Sequence, residues 1–251
     1  MGKWIWVGLA FALGFSNHMT TMLAIPFAGI LFFNRERFNK KSVQKILAVT
    51  IVSLPILILL YLYLPIRANS NPEINWGNPV NFENFWRHFT GKQYQVWLFS
   101  SIDSAKKQLG YFIQNLPSEF AYFPLVISII GAFYLQKRNK VIFFAVLTTF
   151  IFGTLYSINY DIVDIDSYFL LPYFMVAILC AFGYRLILDV LSKKNTNTVI
   201  TGFIIMGLSI IPLIVNFSRS NQSDKYIFED YTKSILNSVE SKSIIFTYQW
   251  D

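Results

Sequence analysis

Long apolar runs alternate with short polar breaks along the chain. The runs fall at about 4–15, 20–33, 46–65, 120–136, 141–158, 168–190 and 199–216. A helix needs roughly 20 apolar residues to cross hydrocarbon. The stretches 46–65, 168–190 and 199–216 meet that length, and the others need their flanks. Only "SNHM" separates the first two runs, which therefore read as two short helices or one broken helix. Such a break is tolerated at membrane depth where protein or water covers it. The pattern predicts an all-α polytopic membrane protein with about seven transmembrane helices.

The breaks carry an orientation. "NRERFNKKSVQK" (34–45) holds five Lys/Arg and one acid, "QKRNK" (136–140) holds three Lys/Arg, and "SKKNTNT" (192–198) holds two. The alternate break "NYDIVDIDS" (159–167) holds three aspartates and no Lys or Arg. Positive charge stays on the cytoplasmic side. This predicts a cytoplasmic N-terminus, with the 66–119 loop, the aspartate loop and the C-terminus outside. "MGKWIWVGLAFALGF" lacks a small-residue cleavage site and reads as a spanning or half-spanning helix.

Two external regions break the apolar pattern. In 66–119, "NFENFWRHFTG" and "SIDSAKKQLGYFIQNL" read as amphipathic helices lying along the interface, where aromatic rings are favoured. Beyond 217, "EDYTKSILNSV" places Tyr231, Ile235 and Val239 on one helical face, and "KSIIFTYQW" reads as a strand. The expected domains are thus a transmembrane domain over 1–216 and the truncated start of an external α/β region over 217–251.

Composition agrees with a bilayer. The chain is 54% hydrophobic, 18% aromatic and 14% charged, against about 25% charged in soluble domains. Its net charge of +7 sits in the polar breaks rather than in one basic surface, which argues for membrane topology and against nucleic acid. The lone Cys180 lies in an apolar run, so neither a disulfide framework nor a cysteine-based metal site is available, while the oxygens of Asp161, Asp164 and Asp166 could bind a divalent cation.

Candidate chemistry concentrates in "LPIRANSNPEINWGNPVNFENFWRHFTGKQY" (64–94). Arg67 stands where lipid phosphates lie and can bond them in bidentate fashion; the plainer reading is a snorkelling arginine. Pro72, Gly77 and Pro79 set tight turns, presenting Trp76 between the amides of Asn75 and Asn78. An indole flanked by amides suits a sugar or polar head group, and an ordered turn is the alternative. His88, Lys92, Gln93 and Tyr94 add a ring nitrogen, a cation and hydrogen-bonding groups. His18, in the break between the first two runs, is a polar group at membrane depth and a candidate for proton transfer. Asp161 and Asp166 are candidates for a general base, against the alternative of a solvated acidic turn with Asp166 at a helix N-terminus.

"GLAFALGFSNHMTTMLAIP", the 64–94 stretch, "DIDSYFLLPYFMVAILCAFGY" and "ILNSVESKSIIFTYQWD" resemble a multipass family that includes transmembrane protein 260. The resemblance covers most of the chain, with "LPIRA", "NWGNP" and "HFTGKQY" as its specific part. It implies a GT-C glycosyltransferase architecture, an external active site and a polyprenyl-phosphate-linked sugar as donor. It carries over His18, Arg67, Asn75, Trp76, Gly77, Asn78, His88, Gly91, Gln93 and Tyr94 as motif positions. Such enzymes place a catalytic acid in an external loop before the helices that open this chain, where only "MGK" stands. The expectation is therefore a fragment, or one product of a split gene, whose catalytic base lies elsewhere.

The expected activity is transfer of a mannose-like sugar from that donor to a protein or other acceptor on the non-cytoplasmic face. The membrane would be the plasma or inner membrane in a bacterium and the endoplasmic reticulum in a eukaryote. A transporter or lipid-handling protein is the first rival. Transport needs ionisable groups near the midplane, and the centres of these apolar runs are almost free of them. A noncatalytic membrane subunit is the second.

Overall fold

The computed structural model describes residues 2–193 and 197–246. Ten α-helices follow in order among them: α1 (Gly2–Asn17), α2 (Ile25–Glu36), α3 (Lys40–Ala68), α4 (Phe82–Phe89), α5 (Ile102–Glu119), α6 (Phe123–Arg138), α7 (Lys140–Ile158), α8 (Leu170–Ser192), α9 (Thr198–Ser220) and α10 (Ile227–Ser238). Short 3-10 turns at Met19–Ala24, Lys92–Trp97 and Ile165–Phe169 join some of them. No strand occurs among the described residues; one isolated antiparallel bridge pairs Leu98 with Tyr160.

Four of the helices are long and apolar enough to cross a bilayer: α3, α7, α8 with the turn before it, and α9. The pair α5 and α6, bent by 101° at its break, makes five if counted as one span. This falls short of the seven crossings the hydrophobic runs predict. With 16 and 12 residues, α1 and α2 are each too short to cross alone. Pro65 lies inside α3. The chain stays helical to Ala68, where the Asn69 amide caps it by donating to the Pro65 carbonyl at 2.8 Å.

Contacts at the helix ends give the packing a direction. Trp4 Nε1 donates to Glu36 Oε1 at 2.9 Å, and Lys45 Nζ donates to Glu36 Oε2, tying the start of α1 and of α3 to the end of α2. At the far end of α1, Phe15 packs on Tyr61 with ring centroids 6.2 Å apart. So α1 and α3 run side by side, and α2 returns beside them. Gly8 makes this possible, since a methyl there would come within 2.3 Å of Val49 and 2.5 Å of Ser53.

The second group of helices centres on the α6–α8 crossing. A methyl on Gly131 would meet the Leu179 carbonyl at 1.8 Å, and one on Gly183 would meet the Ile127 carbonyl at 2.2 Å. Glycine at both positions lets the two backbones touch, as small residues do at membrane helix crossings. Tyr134 Oη donates to Asp189, and Arg185 Nε lies 3.0 Å from Asp189, closing one end of the pair. Leu135, Val146 and Met175 fill the core between α6, α7 and α8. At the other end Phe112 of α5 stacks on Phe169 at 4.7 Å, under a roof formed by Tyr160 and Ile165.

The described chain divides into two compact units, Met1–Ser209 and Ile210–Asp251. The second holds the end of α9 and α10, whose residues are all at least partly exposed. The strand expected over 242–250 does not form at 243–246; residues 247–251 lie outside the described residues.

The glycine crossing predicts a sharp contrast between two substitutions. Gly131→Ala is expected to cost about 2 kcal/mol or more, because backbone has to move. Gly202→Ala in α9, where nothing lies within 4 Å, is expected to be neutral or slightly stabilising. Thermal unfolding in detergent reads both, and equal melting temperatures would refute the close approach.

Candidate functional site

The site begins where the first helix stops. After Asn17 the backbone leaves the helix, and His18 takes extended dihedrals as N-cap of the following turn. Its Nδ1 accepts from the Thr20 backbone N–H at 3.3 Å and lies 2.8 Å from Thr20 Oγ1. A ring nitrogen that accepts from an amide carries no proton, so the neutral ring holds its proton on Nε2. The ring packs edge-on to Tyr168 at 6.0 Å.

The 69–81 segment supplies the next wall. Asn75 Nδ2 donates to Asn78 Oδ1 at 2.9 Å, and Asn84 Nδ2 donates to the Asn78 carbonyl at 2.9 Å. Gly77 and Asn78 both have positive φ, +68° and +41°, a conformation open to glycine and tolerated by asparagine. The turn stands against His88: a methyl on Gly77 would lie 3.2 Å from His88 Nδ1. That nitrogen is buried and has no hydrogen-bond partner. Asn81 caps α4 by accepting from the Asn84 N–H. The helix ends at Phe89, and Gly91, with a φ of +60°, turns the chain into Lys92–Trp97.

These elements enclose a cavity of about 1140 Å³. His18, Trp76, His88, Gln93 and Tyr94 line it, as do Tyr156, Tyr160 and Tyr168. No Asp, Glu, Lys or Arg is among its lining residues. The tyrosines form a cluster, with Tyr160 and Tyr168 rings 4.8 Å apart and Tyr156 stacked on Tyr160 at 6.1 Å. Burial, reinforced by the neighbouring Tyr168, pushes the Tyr160 phenol well above its ordinary range. Tyr160 therefore stays a neutral hydroxyl that donates or accepts hydrogen bonds.

A second, apolar groove of about 490 Å³ runs between α1, α2 and α3. Phe15 and Met22 line both spaces. At the seam, Phe89 packs edge-on to Tyr61 at 4.8 Å and lies 6.0 Å from Phe15. Phe89 lines the groove while its neighbour His88 lines the cavity.

Six residues singled out in the sequence lie outside the cavity lining: Arg67, Asn75, Asn78, Lys92, Asp161 and Asp166. Arg67 is exposed in the last turn of α3. The amides of Asn75 and Asn78 bond each other and shape the turn beneath Trp76. Tyr111 Oη donates to Asp166 Oδ1 at 2.5 Å, holding that carboxylate against α5. Ser100 Oγ donates to Asp161 Oδ2 at 3.1 Å. The hydroxyls of Ser104 and Ser100 hold the Asp161 carboxyl below the usual carboxylate range, although only the Ser100 bond has full hydrogen-bond geometry. A carboxylate so stabilised is a poor proton acceptor at neutral pH. The tyrosine cluster drew no notice in the sequence, because the aspartates among which it stands carry the louder chemical signal. Among the described residues no group of three or more His, Cys, Asp or Glu side chains is placed to hold a metal ion.

Apolar helices of spanning length and an uncharged aromatic cavity at their end define an integral, multipass membrane protein. The chain is similar to the protein O-mannosyl-transferase tmem260 of Dictyostelium discoideum, 24% identical over an alignment 278 positions long that takes in 93% of this chain and 33% of that protein. The chain thus spans about a third of the relative's length. No family model matches the chain, and no solved structure matches it.

The Asp161 environment predicts an acid response. Its folded pKa is depressed, so its stabilising contribution is present above the unfolded value of about 3.9 and is lost as pH falls through the lower folded value. Asp161→Asn is expected to melt below wild type at pH 7, with the gap closing as pH drops below about 4. A gap that widened in acid would contradict the hydroxyl contacts.

Proposed function

We propose that this chain is the donor-holding part of a membrane glycosyltransferase. It would take a mannose-like sugar from a polyprenyl-phosphate carrier and pass it to a protein or other acceptor on the non-cytoplasmic face. The observation that carries the reading is the junction of the two spaces. An apolar groove suited to an isoprenoid tail shares Phe15 and Met22 with an uncharged cavity rich in ring and hydroxyl groups. One molecule with a hydrocarbon tail and a neutral polyol head matches both. The similarity to a protein named as an O-mannosyl-transferase supports the same class.

In this reading Trp76 offers its indole face to the C–H surface of the sugar, while Gln93, Tyr94 and His88 bond its hydroxyls. His18, with its proton on Nε2, donates to a substrate oxygen and opposes charge developing there. Transfer breaks the bond from the anomeric carbon to the phosphate oxygen and forms one to the acceptor oxygen, whose proton leaves to a base. Asp161 and Asp166, tied to Ser100 and to Tyr111 of α5, brace the outer loop, and neither is assigned as that base. A GT-C arrangement with further crossings and an external soluble region belongs to the same proposal.

Membranes carrying the full-length protein, incubated with labelled polyprenyl-phosphate sugars, test it. Trp76→Ala is expected to lower transfer at least about tenfold, the loss of roughly one good ring contact, with membrane insertion unchanged. Full transfer by that variant would remove the sugar from this cavity.

A further inference from the structure

A third cleft, of about 470 Å³, lies between α4 and the Lys92–Trp97 turn. Arg87 and Lys92 line it together with Thr90 and Gln95, and the last two also line the large cavity. The left-handed Gly91 brings the two cations together, because it reverses the chain between α4 and Lys92. Among the described residues neither cation belongs to an ion pair. Glu83 also lines the cleft, one turn before Arg87, which leaves a net charge of +1 there. Gln95 Nε2 donates to the Thr90 carbonyl at 3.2 Å, and Thr90 Oγ1 donates to the Trp86 carbonyl at 2.8 Å, bracing the wall.

One side of the cleft is hydrocarbon. Phe82 and Trp86 stack with centroids 6.1 Å apart, and they are 76% and 51% exposed. Val96 and Phe99, just beyond, are each 70% exposed. Aromatic rings beside unpaired cations match the head-group layer, where rings sit among acyl carbons and cations meet phosphate. Free phosphate would use the cations and leave the rings in water; a lipid phosphate uses both.

We propose that Arg87 and Lys92 seat the phosphate of a membrane lipid in this cleft, with the guanidinium bonding two phosphate oxygens and the ammonium a third. The location beside the large cavity favours the phosphodiester of the lipid-linked sugar over bulk anionic phospholipid, and that choice of lipid rests on the proposed transferase reading. It moves the phosphate seat from Arg67, which lines none of the three spaces, to residues that do.

Native mass spectrometry of the full-length protein released from detergent tests this, with polyprenyl monophosphate, phosphatidylglycerol and inorganic phosphate as separate probes. Arg87→Gln/Lys92→Gln is expected to weaken retention of the phosphate lipid at least about tenfold, as loss of two charge-assisted contacts implies. Arg67→Gln/Lys106→Gln, which removes the same charge elsewhere on the loop, is expected to change it less than about twofold. Arg87→Lys should restore part of the binding, a readout that a merely misfolded variant would not give. Selective loss with polyprenyl monophosphate identifies the donor as the source, and equal loss with phosphatidylglycerol identifies bulk lipid; both support the cleft. Equal weakening in the two double variants, or retention of inorganic phosphate in preference to either lipid, would overturn it. Trp76→Ala separates the two proposals, since failure of the sugar reading leaves phosphate-lipid retention intact.

Discussion

A helix in hydrocarbon can be interrupted only where its freed backbone groups find partners. The interruption after Asn17 finds one in its own histidine. By accepting from the Thr20 amide, His18 caps the turn that sends α2 back along α1 and α3. Both spaces depend on that reversal. The apolar groove is what remains between three helices when the first two are short legs, and the cavity is the room left at their junction. The same bond fixes the ring's proton on Nε2, so one contact sets both the path of the chain and the chemistry offered to a ligand.

Around that reversal the structure sorts its chemistry by position. Charged groups gather where α1, α2 and α3 meet at Trp4, Glu36 and Lys45, and where α6 and α8 meet at Tyr134, Arg185 and Asp189. The large cavity, by contrast, is lined by rings, amides, hydroxyls and apolar groups, with no Asp, Glu, Lys or Arg among them. A cavity without fixed charge cannot attract an ion by field strength; it selects by shape, stacking and hydrogen bonds. That suits a neutral polyol, and the cations stand apart in the neighbouring cleft.

How much of this the sequence disclosed follows from which physical signals are local. Spanning length is local, and α3, α7, α8 and α9 stand where the apolar runs placed them. Helix breaks are less so: the first two runs are apolar enough for membrane but end too early, because His18 and Thr20 satisfy a turn there. Trp76, His88, Gln93 and Tyr94 were legible as a cluster since a single loop carries them. Their companions Tyr156, Tyr160 and Tyr168 come from sixty residues and more downstream, brought in by the Leu98–Tyr160 bridge and the α5–α7 packing. No local pattern marks that meeting. Arg67 shows the limit of a local reading: the sequence marks a guanidinium near the membrane interface, and the structure places it in the last turn of α3, outside the cavity lining.

The glycine crossing of α6 and α8 has a mechanical consequence. At Gly131 and Gly183 each backbone lies against a carbonyl of the other helix, so neither helix can slide or roll without collision. Across the molecule, the nearest neighbours of Gly8 are the side chains of Val49 and Ser53 rather than backbone, and the seam near Phe15, Tyr61 and Phe89 is made of side-chain rings. One wall is thus a rigid keel and the other a compliant flank. Any widening of the apolar groove between α1, α2 and α3 therefore falls to the flank.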